Sequence, residues 1–137
     1  MYGKKSEKGV TFIELLVSGL ILSLVIGGML QAYQYHLQLS EIALETSVAL
    51  GDASDILESI GGTPFSSVPV NFPHGVVDGP AGNKYSGRIG GYALVNETIT
   101  VTYIDASADP LEIIVTVTWN GPRNRPLQVA LSTMKTE

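Results

Sequence analysis

Residues 10–30 read VTFIELLVSGLILSLVIGGML, a run of 21 residues whose only ionisable member is Glu14. At roughly 1.5 Å rise per residue such a helix reaches about 30 Å, the thickness of the hydrocarbon core of a bilayer. Ahead of it stands MYGKKSEKG, whose Lys4, Lys5 and Lys8 the positive-inside tendency holds in the cytoplasm, so the remainder of the chain is expected on the far side of the membrane. A cleaved secretory signal also has a basic start and an apolar run. Its apolar region, however, is about 7 to 15 residues long with a small-x-small site behind it. Here the run is longer and carries a carboxylate near its start, and Gly27-Gly28 only mimics such a site.

Outside this segment the chain has room for one small domain, since 137 residues less a membrane anchor leave about the usual size of a single core. Hydrophobic residues make up 45% and charged residues 15%, too apolar for a disordered protein, and the excess sits at the N-terminus. There is no cysteine, so an exported domain must hold together without a disulfide. The formal charge is −5; residues 1–9 carry three lysines and one glutamate, so their removal takes it to −7. No basic stripe is left to follow a phosphate backbone, which argues against nucleic-acid binding by this subunit alone. Lys84, Arg88, Arg123 and Arg125 remain as scattered weak contacts.

Helical character is expected to continue beyond Leu30 through QAYQYHLQLSEIALETSVALGDASDILESI, which contains no proline and meets Gly61-Gly62 as a C-terminal stop. Tyr35, Leu39, Ile42, Thr46, Ala49, Ala53, Ile56 or Leu57, and Ile60 recur at spacings of four and three, one stripe suited to lying on a sheet. Glu41, Glu45, Asp52, Asp55 and Glu58 fall at other positions with no basic partner on the helix and read as a solvated face, or as a surface for a basic neighbour in an assembly.

From Gly61 to Gly91 the composition changes to eight glycines and four prolines, so regular structure there should be short. Strand-like runs follow at Tyr92–Val95, Thr98–Ile104, Leu111–Trp119 and Leu127–Thr133. In the third, Ile113, Val115, Val117 and Trp119 alternate with Glu112, Ile114, Thr116 and Thr118; in the fourth, Leu127, Val129 and Leu131 alternate with Gln128, Ala130 and Ser132. Short connections through Asp109-Pro110 and Asn120-Gly121-Pro122 favour antiparallel neighbours. The expectation is an α+β fold: a long N-terminal helix, transmembrane over 10–30 and amphipathic to about 60, a Gly/Pro-rich connection over 61–91, and an antiparallel sheet of about four strands over 92–134.

The segment EKGVTFIELLVSGLILSLVIGG, residues 7–28, closely resembles the type III signal of type IV pilins and type II secretion pseudopilins. In that family a prepilin peptidase cuts behind the glycine on the cytoplasmic side and methylates the new terminal amine. The resemblance implies that residues 1–9 are a leader, that Gly9 precedes the scissile bond, that Val10 becomes the N-methylated terminus, and that Glu14 is the fifth residue after the cut. Val10 stands where the family usually has phenylalanine. A basic leader, a glycine, a carboxylate at one offset and a long apolar helix must coincide, which makes the signal specific. A carboxylate within a transmembrane helix costs about 2.5 to 3.5 kcal/mol at the bilayer centre, less near an edge, unless it finds a partner. The family's partner is the terminal amine of a neighbouring subunit, and the bland alternative is an interface-level glutamate. The glycines Gly27 and Gly28 mark a stretch where helix is expected to loosen on packing.

The order of elements is also similar to pilins, and ITVTYIDASADPLEIIVTVTWNGPRNRPLQVALST looks like the V-type minor pilins and somewhat like the I-type minor pseudopilins. There is no C-terminal cysteine pair, and Gln31 stands where many major pilins have a kinking proline. The resemblance implies a single-pass inner-membrane precursor with its C-terminus in the periplasm. Its implied partners are other pilin or pseudopilin subunits, prepilin peptidase and an inner-membrane assembly platform, ending in a pilus or pseudopilus. A type II secretion role, or a tip subunit for adhesion or DNA uptake, is the alternative destination.

No enzyme and no cofactor are expected. His36 and His74 have no recognisable ligand or triad partner. Asp105, Asp109 and Glu112 lie close in sequence but lack EF-hand spacing. Asn96-Glu97-Thr98 matches a glycosylation sequon, a short pattern with a high chance rate. Ser66, Ser67 and the glycine-rich turns lack the surroundings that activate a nucleophile or cradle a phosphate.

Overall fold

A computed structural model describes residues 10–105 and 107–137. The chain divides at Leu39/Ser40 into two units. The first element, helix α1, covers Phe12–Gly61 without a proline, and the N–H groups of Glu14 and Leu15 open it by bonding to the Thr11 carbonyl. Within the N-terminal unit every large apolar side chain from Val10 to Leu30 is exposed. This part of α1 is long and apolar enough to cross a membrane, and it is unburied among the described residues. It runs as helix through Gly27 and Gly28, around which a Cβ would meet nothing.

In the C-terminal unit α1 lies on a four-stranded antiparallel sheet in the order β1 (Val77–Asp78), β2 (Thr98–Tyr103), β3 (Leu111–Gly121), β4 (Arg125–Lys135). The buried part of the helical stripe is Ala49, Ala53, Ile56 and Ile60, with Ile42, Thr46 and Leu57 half-buried. Tyr35 and Leu39, expected in the same stripe, are exposed in the N-terminal unit. Ile99, Val101 and Tyr103 of β2 and Leu111, Ile113, Val115, Val117 and Trp119 of β3 complete the core, with Phe72, Tyr85 and Val68 from the connection. The alternation expected in β3 and β4 is present: odd-numbered residues of β3 are buried, and those of β4 from Leu127 onward are half-buried.

Helix α1 ends where the glycine pair is, but by other means than a left-handed glycine. Gly62 N–H donates to the Glu58 carbonyl (3.0 Å), Thr63 N–H to Ile60 (3.1 Å), Thr63 Oγ1 to Ser59 (2.8 Å) and Lys135 Nζ to Gly61 (2.9 Å). All four terminal carbonyls thus have donors, and the lysine adds a cation at the negative end of the helix dipole.

The Gly/Pro-rich connection holds only a 3-10 turn at Phe65–Ser67, the single-turn helices α2 (Val68–Asn71) and α3 (Ser86–Ile89), and β1. The sheet nevertheless differs from expectation at one edge. Tyr92–Val95 is not a strand; the fourth strand is Val77–Asp78, pairing with Thr100 and Ile99 from inside the connection. The cause is where the backbone donors go. The left-handed Gly90 and Gly91 (φ 75° and 109°) turn the chain after α3. The N–H groups of Ala93 and Leu94 then bond to the Glu97 carboxylate at 2.9 Å each and are lost to a ladder.

Candidate functional site

Val10 and Glu14 lie at the start of the exposed apolar segment, Glu14 in the first turn of α1, where a carboxylate complements the positive end of the helix dipole. Gly9, the expected residue before the cut, lies outside the described residues, as does the leader with Lys4, Lys5 and Lys8. Gly27 and Gly28 sit about three and a half turns further along the same helix, in open surroundings. The chemistry of this segment is that of a surface: a long apolar cylinder with one carboxyl group near its N-terminal end.

Three buried carboxylates organise the other unit. Asp78 is 5% exposed, and its Oδ2 accepts from the N–H groups of Lys84 (2.9 Å) and Tyr85 (3.1 Å) and from the Tyr92 hydroxyl. It thereby closes the DGPAGN turn into a loop, and the loop passes so near that a Cβ at Gly82 would overlap Asp78 Oδ1. Burial first, then the bond to Asp78 and its charge, push the Tyr92 phenol above its ordinary range.

Glu97, fully buried, fastens the 92–97 turn through its Oε2, and Asp52, 7% exposed, comes to it from α1. Burial, the adjoining Glu97 carboxyl and the charges of Glu97 and Asp55 push the Asp52 carboxyl up to about 7. A fourth carboxylate, the half-buried Glu45, accepts from Trp119 Nε1 at 3.0 Å. The acidic set on α1 is therefore not one solvated face: Glu41, Asp55 and Glu58 are exposed, whereas Asp52 and Glu45 turn to the sheet side. The helical period points both ways here, because position 52 is three before Asp55 and one before the buried Ala53.

Three of the remaining candidates, His74, Asp105 and Arg88, have structural partners. His74 Nδ1 accepts from Tyr103 N–H at 3.0 Å, and its ring stacks on Tyr103 at 5.8 Å. Asp105 Oδ1 accepts from Ser107 N–H and Oγ at 2.9 and 2.7 Å, which lowers its carboxyl. Among the described residues no three His, Cys, Asp or Glu side chains gather as a metal site, so Asp105, Asp109 and Glu112 do not converge. The Arg88 guanidinium lies 4.5 Å over Phe72 and 5.9 Å from the Tyr85 ring, on the protein's own aromatics.

Asp52, Asp78 and Glu97 carry no signal by motif. The one cue in the sequence is context, an acidic residue adjoining a buried stripe position for Asp52 and an aspartate opening a glycine-proline turn for Asp78. Comparison with protein-family models, with curated proteins and with solved structures finds no match to this chain.

Proposed function

We propose that this chain is a type IV pilin-like assembly subunit, cut between Gly9 and Val10 by a prepilin peptidase and built into a pilus or pseudopilus through the N-terminal half of α1. The observation that carries the proposal is the apolar segment Val10–Leu30, exposed among the described residues and bearing Glu14 as its single ionisable side chain. A membrane covers such a surface in the precursor, and neighbouring copies of the same helix cover it in a filament. The function is packing, with no substrate chemistry: the small α+β head supplies the outer surface and the helix supplies the contacts. The likeness of the C-terminal strands to V-type minor pilins makes a minor subunit the specific form proposed. The test is the N-terminal mass of the protein from its native cells. A methylated Val10 terminus supports the proposal; an intact Met1 terminus, or a start after Gly28, overturns it.

A further inference from the structure

The Glu97 carboxyl, in the turn leading into β2, is the neighbour that acts on Asp52 of α1, and both are withdrawn from water: Glu97 is fully buried and Asp52 is 7% exposed. Glu97 Oε2 has its two backbone donors, but Glu97 Oε1 has no hydrogen-bond partner, and Asp52 Oδ2 also has none. An ionised carboxylate only accepts, so two ionised groups cannot satisfy each other, and buried like charges repel. One proton placed between them gives both orphaned oxygens a partner at once. Among the described residues no counter-charge lowers the Asp52 carboxyl. Asp55 and Glu45 on α1 are negative, Asp78 is engaged with the loop and the Tyr92 phenol, and Tyr85 carries a hydroxyl that is itself unpaired. Arg88 lies over Phe72 and lines a surface groove with Asp55 and Glu58.

We propose that Asp52 and Glu97 hold a single shared proton, and that this proton is a pH-sensitive latch fastening the 92–97 turn to helix α1. Asp52 carries the proton and donates it to Glu97 Oε1; when a base in the medium removes it, two adjacent buried anions remain and the turn lifts. That turn borders two surface cavities. Val95 faces one of about 170 Å³ with Glu41, Glu45 and Asn120; Asn96 and Glu97 face one of about 490 Å³ with Val77, Gly79 and Pro80. Opening the latch reshapes both, so the surface this head offers a neighbour depends on the pH around it. The latch is independent of the assembly reading above.

The test uses the full chain in detergent micelles, with carbon NMR of the Asp52 and Glu97 carboxyls and amide-exchange protection at Ala93 and Leu94 between pH 5 and 9. The latch requires Asp52 to be protonated at pH 5 and to titrate in a step near pH 7. Protection at the two amides, measured relative to intrinsic exchange, then falls by up to about tenfold per pH unit as pH rises towards that step and levels off above it, as a one-proton linkage dictates. Asp52→Asn and Glu97→Gln each replace the shared proton with a fixed amide donor, and the fall should vanish in both. An Asp52 carboxyl already ionised at pH 5, or an undiminished fall in both variants, overturns the proposal. If a variant does not fold, the wild-type carboxyl titration decides by itself.

Discussion

Replacing Asp52 with asparagine should make the head more stable in neutral and alkaline medium, although it deletes a charged residue from a bonded pair. In the folded chain the Asp52 carboxyl titrates near pH 7, against about 3.9 for an aspartate in an unfolded chain. Below about pH 4 both states are protonated and this group adds no pH dependence. Between about 4 and 7 the folded state keeps a proton that the unfolded state has released, so stability falls as pH rises, by about 1.4 kcal/mol per unit. Across that window the loss amounts to a few kcal/mol at most, since the proton is shared with Glu97 and solvent screening reduces the effect, still a sizeable share of the roughly 5 to 15 kcal/mol typical of a domain. The amide of the Asp52→Asn variant would donate to Glu97 Oε1 without titrating. The difference between variant and wild type should therefore grow from near zero at pH 4 to a few kcal/mol at pH 8. Trp119 is the only tryptophan and is buried in the core, so its fluorescence during urea unfolding reports on the head alone. A variant that is less stable than wild type at pH 8, or whose stability tracks pH as the wild type's does, would refute the reasoning.

Two tyrosines make a contrasting pair. The Tyr85 hydroxyl is buried with no acceptor, so Tyr85→Phe should be neutral or stabilising by up to about 1 to 3 kcal/mol. The Tyr103 hydroxyl donates to the Phe72 carbonyl and lies 3.4 Å from that of Val68, so Tyr103→Phe should cost about 0.5 to 1.5 kcal/mol; urea midpoints of the two variants give the signs. Gly82→Ala forces the Asp78 carboxylate aside and should cost about 1 to 3 kcal/mol, read as a lowered midpoint together with faster amide exchange at Lys84 and Tyr85. In a filament, α1 should lose helix around Gly27-Gly28, where each glycine costs roughly 0.8 to 1 kcal/mol relative to alanine; a density map with unbroken helix from Thr11 to Ile60 would contradict this.

The elements legible in the sequence are those with long, unambiguous periods. Helix α1 can be read from its missing prolines and its stripe, and β3 and β4 from alternation over nine and seven residues, broken only by Ile114 and Ala130. Tyr92–Val95 misleads because a four-residue apolar run carries no period of its own, and a side chain two residues further on claims its donors. Val77–Asp78 is hidden for a similar reason, since two residues among glycines and prolines cannot announce a strand. The exposed apolar segment with Glu14 is visible in full. The buried carboxylates are not, because nothing in a single chain distinguishes an acidic residue on a solvated face from one a few tens of degrees round the helix against a sheet. Proximity of Asp52 to Glu97 spans 45 positions of sequence, and only the packing of α1 on the sheet creates it.

Under the proposed function Glu14 serves assembly rather than insertion, and recovery of this subunit in sheared filaments or a tip complex, scored against its processed level in the membrane, tests this directly. Glu14→Ala removes the one charge from an apolar helix and leaves the lysines and Gly9 untouched, so insertion and cleavage should be normal. In the assembled state the terminal amine of a neighbouring subunit would then lack its counter-charge, a loss of about 3 to 5 kcal/mol for one broken buried pair. That predicts incorporation reduced by two orders of magnitude or more at about 1.4 kcal/mol per factor of ten, with Glu14→Gln also impaired. Both variants entering filaments at the wild-type ratio would mean that Glu14 pairs with nothing in the assembly, and the account would fail.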